Sequence, residues 1–500
     1  MKFIVKLSPE ITIKTRPVRK QFVARLQANI RKICRRRELG GDMVRRWDML
    51  EVVLDPQHEE SCAAHQQRCS NVAQVLRTTP GIAHFLEVAE HNLDLSGSGD
   101  EILERIARAA GAVYAAQLPG HSYAVRCKRH GEHDFNSQRV EEYVGAWLGQ
   151  RCDNNGVDLH HADITVALEI KRERLFIVKQ RHAGLGGLPL GCVGQVLSLI
   201  SGGYDSSVAS YQTIRRGMET HFCFFNLGGH AHEVGVRQVA HFLWDRYASS
   251  HRTAFISVNF EPVVEEILHK VAKPYMGVVL KRMMLRAASQ VAAQMKIDAL
   301  VTGEAIAQVS SQTIANLALI DKVSDVMVMR PLISSDKTAI IARAVEAGVA
   351  TYAEHMPEYC AVISDKPTTA AKPRVLEQQE EKFDFTILQN VVEQRTMCGI
   401  DDVYEKDSII DEVEKQSVPE PGQVIIDLRD EDSCANKPLK LHTNKTLNIP
   451  FYKLNRLFSE LDSEQQYLLY CDRGAMSRLH AAHLRAEGYA NVKVYQPKAQ

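Results

Sequence analysis

The sequence predicts a multidomain chain of α/β and α+β units, and three observations carry that prediction. Its 500 residues exceed what one hydrophobic core can serve. Two small α+β patterns at the front give way, near residue 195, to strands and helices in regular alternation. A final α/β pattern follows an acidic stretch after residue 400. The apolar share of 45% is that of a globular protein, so each unit has material for a core.

Residues 1–75 read as strand, basic helix, strand. KFIVKL alternates, QFVARLQANIRKICRR has helical spacing, and DMLEVVL returns to alternation. Residues 77–181 form the second unit. TPGIAHFLEVAE is a strand, SGDEILERIARAAGAVYAAQ a helix, and HSYAVRCKRHGEHDFNS a strand running into a basic loop. EEYVGAWLGQRC is a helix and ADITVALEIKRERLFIVKQ a hairpin. From Gly184 the turn-rich GLGGLPLG reads as a hinge. Residues 195–350 then alternate VLSLI, SSVASYQTIRRG, THFCFFNL, VRQVAHFLWDRYASS and TAFISVNF, which predicts a doubly wound parallel sheet. Gly217 is placed to stop its first helix. Residues 396–419 read as an acidic, Pro-containing linker, and residues 420–498 as an α/β unit running from QVIIDLRD to NVKVYQP.

Composition excludes several classes. No apolar run approaches the roughly 20 residues of a membrane span, and the N-terminus lacks an apolar secretory core. A cytoplasmic protein without membrane partners is expected. The 11 cysteines are odd in number and contain no C-x-x-C, which suggests a reducing compartment and argues against a zinc ribbon or a cysteine-ligated iron–sulfur cluster. Net charge is zero but unevenly spread: residues 1–46 carry 14 Lys or Arg against Glu10, Glu38 and Asp42. Such a run is either a solvated face or a nucleic-acid footprint. His230 and His232, in GGHAHE, form a lone H-x-H that reads more simply as loop or core chemistry than as a metal site, and no protein metal cluster is expected.

The chemistry concentrates in QVLSLISGGYDSSVAS, residues 195–210. An apolar strand meets a Ser/Gly turn, Ser201 to Ser207, and a helix follows. Gly202 and Gly203 let backbone amides approach a ligand, Ser201, Ser206 and Ser207 add hydroxyls, and a helix N-terminus favours an anion. This is a phosphate cradle without the spacing or lysine of a Walker A loop. The pattern S-G-G-x-D-S resembles the PP-loop of the ATP pyrophosphatases, which adenylate a carbonyl oxygen and release pyrophosphate. Asp205 is odd beside phosphate. A Mg²⁺ bridge entering with ATP would remove the conflict, and a helix N-cap is the plainer role; the two are compatible.

A second strand–loop–helix pattern lies at YLLYCDRGAMSRLHAAHLRAEG, residues 467–488. Cys471 ends the strand, and the helix is expected from about Ser477. A thiol above loop amides and a helix N-terminus is poised to react as thiolate, with Arg473 adding positive charge; a buried, inert cysteine is the alternative. A cysteine phosphatase would need arginine where Ser477 stands. The short loop instead resembles the rhodanese family, whose cysteine carries a persulfide, and Asp427 and Arg429 in IIDLRD resemble that family's first strand.

A PP-loop and a rhodanese loop behind a basic front together resemble the bacterial tRNA 4-thiouridine synthase family (ThiI), in its long form. Matching blocks include VRCKRHGEHDF, LVTGEAIAQVSSQTIANL, MRPLISSDK and MPEYCAVIS. The resemblance implies a ferredoxin-like N-terminal domain at 1–75, a THUMP RNA-binding domain at 77–181, a PP-loop ATP pyrophosphatase domain at 182–395 and a rhodanese-like domain at 420–498. It implies an ATP site of Leu199, Ile200, Ser201, Gly202, Gly203, Asp205, Ser206, Lys281, Gly303 and Gln312. It also implies a Cys471 persulfide, with Cys360 as its disulfide partner during turnover. Lys281 could offset phosphate charge and Gln312 could meet a base or ribose edge; without the resemblance, a surface lysine and a polar helix residue would be the simpler readings. Lys128, Arg129 and His130 are the favoured RNA contacts, with Arg35, Arg36 and Arg37 secondary.

The implied reaction is ATP-dependent transfer of persulfide sulfur to uridine at position eight of tRNA, giving 4-thiouridine. The same persulfide would supply a small sulfur-carrier protein for the thiazole of thiamine. Expected partners are tRNA, a cysteine desulfurase and that carrier, with a homodimer allowed. The rival readings are a PP-loop ligase or amidating enzyme, a rhodanese-type sulfurtransferase without tRNA chemistry, and a non-catalytic RNA-binding module.

Overall fold

The computed structural model describes the chain apart from residues 47–48, 59, 228, 355, 357–366, 403–412, 430–433, 435–437, 440–443, 450–453, 455–456, 472–474 and 498–500. The chain divides into two compact units, Met1–Val193 with Arg215–Gly217, and Gly194–Ile214 with Met218–Gln500.

The first unit holds strands β1 (Lys2–Leu7), β2 (Asp42–Arg45), β3 (Met49–Val53), β4 (Ile82–Asn92), β5 (Tyr123–His130), β6 (Ile164–Lys171) and β7 (Arg174–Gly186). They make one sheet in the order β2-β3-β1-β4-β7-β6-β5, antiparallel except where β5 meets β6. Period-two alternation sends Phe3 and Val5 to one face of β1 and Ile4 to the other. On the first face, helices Arg16–Arg36 and Cys62–Thr78 close a core of Leu26, Ile30, Leu50, Val52, Val72 and Leu76. Helices Gly99–Tyr114 and Ser137–Arg151 close a second core with Ile106, Val144, Val166 and Ile177. Ser98 and Glu101 form a reciprocal capping box that fixes where the first of these helices starts.

The two expected front domains therefore have separate cores on one shared sheet. The expected division at residues 75–77 falls inside the helix Cys62–Thr78. That helix and β2 were not anticipated. CAAHQQRCSNVAQVLRT carries few large apolar residues in its first half, and β2 is four residues long, too short for a periodic signal.

The second unit carries two sheets. The larger uses β8 (Gln195–Leu199), β9 (Glu219–Asn226), β10 (Ala254–Asn259), β11 (Ala299–Val301), β12 (Met327–Met329) and β13 (Thr396–Gly399), in the order β12-β11-β8-β9-β10-β13. It is the expected doubly wound parallel sheet with one addition: β13 runs antiparallel along β10. Its core joins Leu197, Cys223, Ile256 and Leu300 to Val279, Met283 and Ala287 of helix Met276–Met295. The strand order reverses between β8 and β11, so the loops after these two strands flank the switch point where such sheets bind ligands.

The smaller sheet is parallel, in the order β14 (Lys415–Gln416), β18 (Val492–Tyr495), β17 (Tyr467–Tyr470), β15 (Val424–Asp427), β16 (Thr446–Asn448). The expected linker at 396–419 is corrected at both ends. Residues 396–399 pair as β13 and residues 415–416 as β14. Edge strands of two to four residues are bound through backbone groups, which no side-chain pattern announces. Among the described residues, no helix is long and apolar enough to cross a membrane.

Candidate active site

The loop after β8 is held open by its own hydroxyls. Ser206 Oγ accepts from the Ser201 amide at 3.0 Å and lies 2.9 Å from Ser201 Oγ. Ser207 Oγ donates to Gly203 O at 2.7 Å. Gly202 sits at φ +80°, a backbone region that disfavours any side chain. Leu199 ends β8, and buried Ile200 donates its amide to Cys223 O at 2.9 Å, which ties the loop to the neighbouring strand. The helix begins at Tyr204, inside the expected Ser201–Ser207 turn, so Asp205 and Ser206 lie in its first turn.

Gly303 follows β11 and needs to be glycine for a reason the sequence does not reveal. A Cβ there would fall 2.5 Å from both the Asp205 carbonyl carbon and the Ser206 amide nitrogen. The close approach is to the loop's own backbone. Asp205 is not the N-cap. Its carboxylate accepts from Lys337 Nζ at 3.0 and 3.1 Å and from Gln308 Nε2 at 2.8 Å. Lys337, which also lies 5.6 Å from the Tyr204 ring centroid, and Gln308 were missed by the sequence reading. Both belong to blocks quoted for the family resemblance, but neither carries a spacing that singles it out.

Lys281 pairs with Glu304 at 3.7 Å, immediately after Gly303. Glu304 is buried, and Arg330 binds its other oxygen at 2.9 Å. Burial pushes the Glu304 carboxyl up, but Lys281 and Arg330 overcome it and hold the group below the usual carboxylate range. Gln312 is buried in a short 3-10 turn, where its backbone carbonyl accepts from Ala307 at 3.0 Å. Its side-chain Oε1 has no hydrogen-bond partner. Such an acceptor fits a ligand donor. Ala307, between Gly303 and Gln312, is held at φ +61°.

His232, left unassigned by sequence, belongs to this site. It is buried, its Nε2 lies 3.4 Å from Ser201 O, and its ring packs edge-on against Phe224 at 4.9 Å. Burial lowers its pKa, which favours the neutral imidazole. The His230 side chain lies outside the described residues. Met356 covers the loop: a Cβ on Gly202 would fall 2.8 Å from Met356 Cε, and one on Gly235 would meet the same methyl group.

Cys471 follows β17. Its Sγ accepts from the Ser477 amide at 3.3 Å and lies 3.5 Å from Ser477 Oγ. The helix starts at Ala475, so Ser477 is in its first turn and the thiol faces the helix N-terminus. Asp427 and Arg429 of the neighbouring strand end form a buried ion pair, with Nη2 to Oδ2 at 2.6 Å. Burial pushes the thiols of Cys34 to about 11 and of Cys127 and Cys223 to about 12, which leaves them protonated at neutral pH. Cys360 and Arg473 lie outside the described residues.

In the first unit, Lys128 and His130 are exposed on β5, an edge strand. Arg129 is half-buried and donates to Gly131 O at 3.0 Å. Arg35 and Arg36 are exposed at the end of their helix, and Arg37 is half-buried.

Comparison with known proteins fits this geometry. A family described as thiamine biosynthesis protein (ThiI) matches residues 191–385, a THUMP domain matches 101–178, and a rhodanese-like domain matches 410–496. The chain is 51% identical over 499 residues to the tRNA sulfurtransferase of Azotobacter vinelandii, covering 99% of this chain and 100% of that one. Identity to the tRNA sulfurtransferase of Pseudomonas putida is 50% over the same length and the same shares of both chains. A solved 4-thiouridine synthetase, in complex with RNA and with bound ATP, aligns at a TM-score of 0.67 and 24% identity, covering 80% of this chain and 99% of that chain.

Proposed function

This chain belongs to the tRNA sulfurtransferase family, and from that premise we propose how its residues carry sulfur to tRNA. The target is uridine at position eight and the product 4-thiouridine. ATP enters with its phosphates against the amides and hydroxyls of Ser201 to Ser206, flanked by Leu199, Ile200, Gly303 and Gln312. The uridine C4 oxygen attacks the α-phosphorus, pyrophosphate leaves, and the adenylated oxygen becomes a leaving group. Lys337 and Lys281 hold positive charge at the crevice through Asp205 and Glu304, ready to face phosphate. The Asp205 carboxylate is the hard oxygen donor that would hold Mg²⁺ entering with ATP. That ion would supply positive charge against the phosphates.

Cys471 accepts sulfane sulfur from a cysteine desulfurase and becomes a persulfide. Its terminal sulfur attacks C4 and AMP leaves. The Cys360 thiolate then attacks Cys471 Sγ, breaking the S–S bond to the transferred sulfur. This leaves a Cys360–Cys471 disulfide and the thionucleoside. A dithiol reductant returns two electrons to the pair by exchange. Lys128 and His130, with Arg35 and Arg36, hold tRNA through phosphates and shape. The same persulfide also serves the small sulfur-carrier protein of thiamine synthesis, in the cytoplasm.

The observation that carries this reading is the pairing, within one compact unit, of a hydroxyl-lined loop at a sheet switch point with a thiol on a helix N-terminus. The test supplies ATP, cysteine, a desulfurase and unmodified tRNA and measures thiouridine absorbance. Product from the native chain and none from Cys471→Ala is expected. No product from the native chain rejects the reading, as does product from the variant.

A further inference from the structure

One helix touches both reaction centres. Helix Gly229–Leu243 presents His232, Gly235, Gln238 and Phe242 at spacings of three, three and four residues, a single stripe about 15 Å long. At its start His232 reaches Ser201 O of the phosphate loop. One turn on, Gly235 leaves room for Met356, which also covers Gly202. Next, the Gln238 amide donates to His480 Nε2 at 2.7 Å, with both side chains buried. Finally Phe242 packs on Tyr352, ring centroids 4.9 Å apart, and Tyr352 packs against the core of the smaller sheet. His480 lies on helix Ala475–Ala486, one turn beyond Ser477, whose amide holds Cys471 Sγ.

We propose that this stripe is the element that fixes Cys471 relative to the phosphate loop, with Gln238 and His480 as positioning residues. The inference rests on the proposed function, because it assigns the sulfur to Cys471 and the activated uridine to the loop. Two features argue for it. The Gln238–His480 contact is a polar pair buried between two domains, where an apolar pair would bind without directional demand; a hydrogen bond adds orientation. Its two ends lead, each within two helical turns, to a group that holds a reacting centre.

The test uses the full chain with Gln238→Leu, His480→Leu and His480→Gln. Three rates are measured: thiouridine formation, sulfur transfer from thiosulfate to cyanide at Cys471, and tRNA-dependent release of pyrophosphate from ATP. In either leucine variant, kcat for thiouridine is expected to fall about tenfold, with KM for tRNA and both partial reactions unchanged. His480→Gln, which keeps an amide partner for Gln238, is expected to restore the rate. An undiminished kcat in the leucine variants overturns the proposal. So does a parallel loss of a partial reaction, which would mark a purely structural role. If the native chain makes no thiouridine, the proposed function fails, and the positioning role is read from the rate at which a mild disulfide oxidant links Cys360 to Cys471. That rate should slow in His480→Leu, and an unchanged rate overturns the proposal.

Discussion

The loop after β8 and the loop after β17 share a design of parallel strand, short turn and helix N-terminus, yet they are loaded differently. The first is lined by Ser201, Ser206 and Ser207, shaped by Gly202 at φ +80°, and backed by Gly303 with no room for a methyl group. The second presents one sulfur, held by the Ser477 amide at 3.3 Å. A polyphosphate spreads its charge over many oxygens, so its cradle needs many donors and a fixed backbone. A thiolate concentrates its charge on one atom, so a single well-placed amide and a helix end suffice. The consequence is a difference in tolerance. The phosphate loop depends on backbone shape at several positions, whereas among the described residues the cysteine loop holds its sulfur through Ser477.

That difference can be broken most sharply at the sulfur. Cys471→Ser keeps size and hydrogen bonding and should abolish thiouridine while tRNA-dependent pyrophosphate release continues, as measured by a coupled phosphate assay. Loss of both together would mean that the two loops do not act separately. Asp205→Asn is next. It removes the charge that orders Lys337, and pyrophosphate release should fall about 10²–10³-fold, with thiosulfate-to-cyanide transfer at Cys471 unchanged. Gly303→Ala forces a methyl group against the Asp205–Ser206 backbone and should cost about 1–3 kcal/mol in urea unfolding, with a loss of ATP affinity. Ser477→Ala is the mildest. The amide contact to Cys471 stays and the hydroxyl contact goes, so sulfur transfer should slow about fivefold in single-turnover measurements.

The two loops were also unequally legible. Both appear in the sequence because each is a local strand–turn–helix whose residues are neighbours in the chain. Long-range partners were not visible. Lys337 lies 132 residues from Asp205, and His232 lies 31 residues from Ser201. Neither carries a spacing signal, and a lone H-x-H assigns no role to His232. Gly303 was found through family resemblance, but its reason had to come from the backbone it meets. The doubly wound sheet followed from alternating patterns, while β2, β13 and β14 escaped because they are two to four residues long. Helix Cys62–Thr78 escaped because its apolar residues gather toward its end.

The shared sheet of the first unit has a consequence for how this part of the chain comes apart. Strand β1 is paired on both edges, with β3 on one side and β4 on the other. Beneath that junction Glu51 is buried and bound by Arg174 at 2.7 and 2.8 Å. Burial would raise the Glu51 carboxyl, but the hydrogen bonds from Arg174 and Arg46 hold it down at about 2. An unfolded glutamate titrates near 4.3, so this junction favours folding above about pH 4.3 and loses its contribution as the pH falls from there toward 2. Glu51→Gln should cost about 3–5 kcal/mol and remove that acid sensitivity, read from thermal melts at pH 3 and 7. Truncation near residue 76 would cut a helix and strip β1 from β4, exposing two raw strand edges. Neither fragment should then melt as a cooperative body, and both should be prone to self-association.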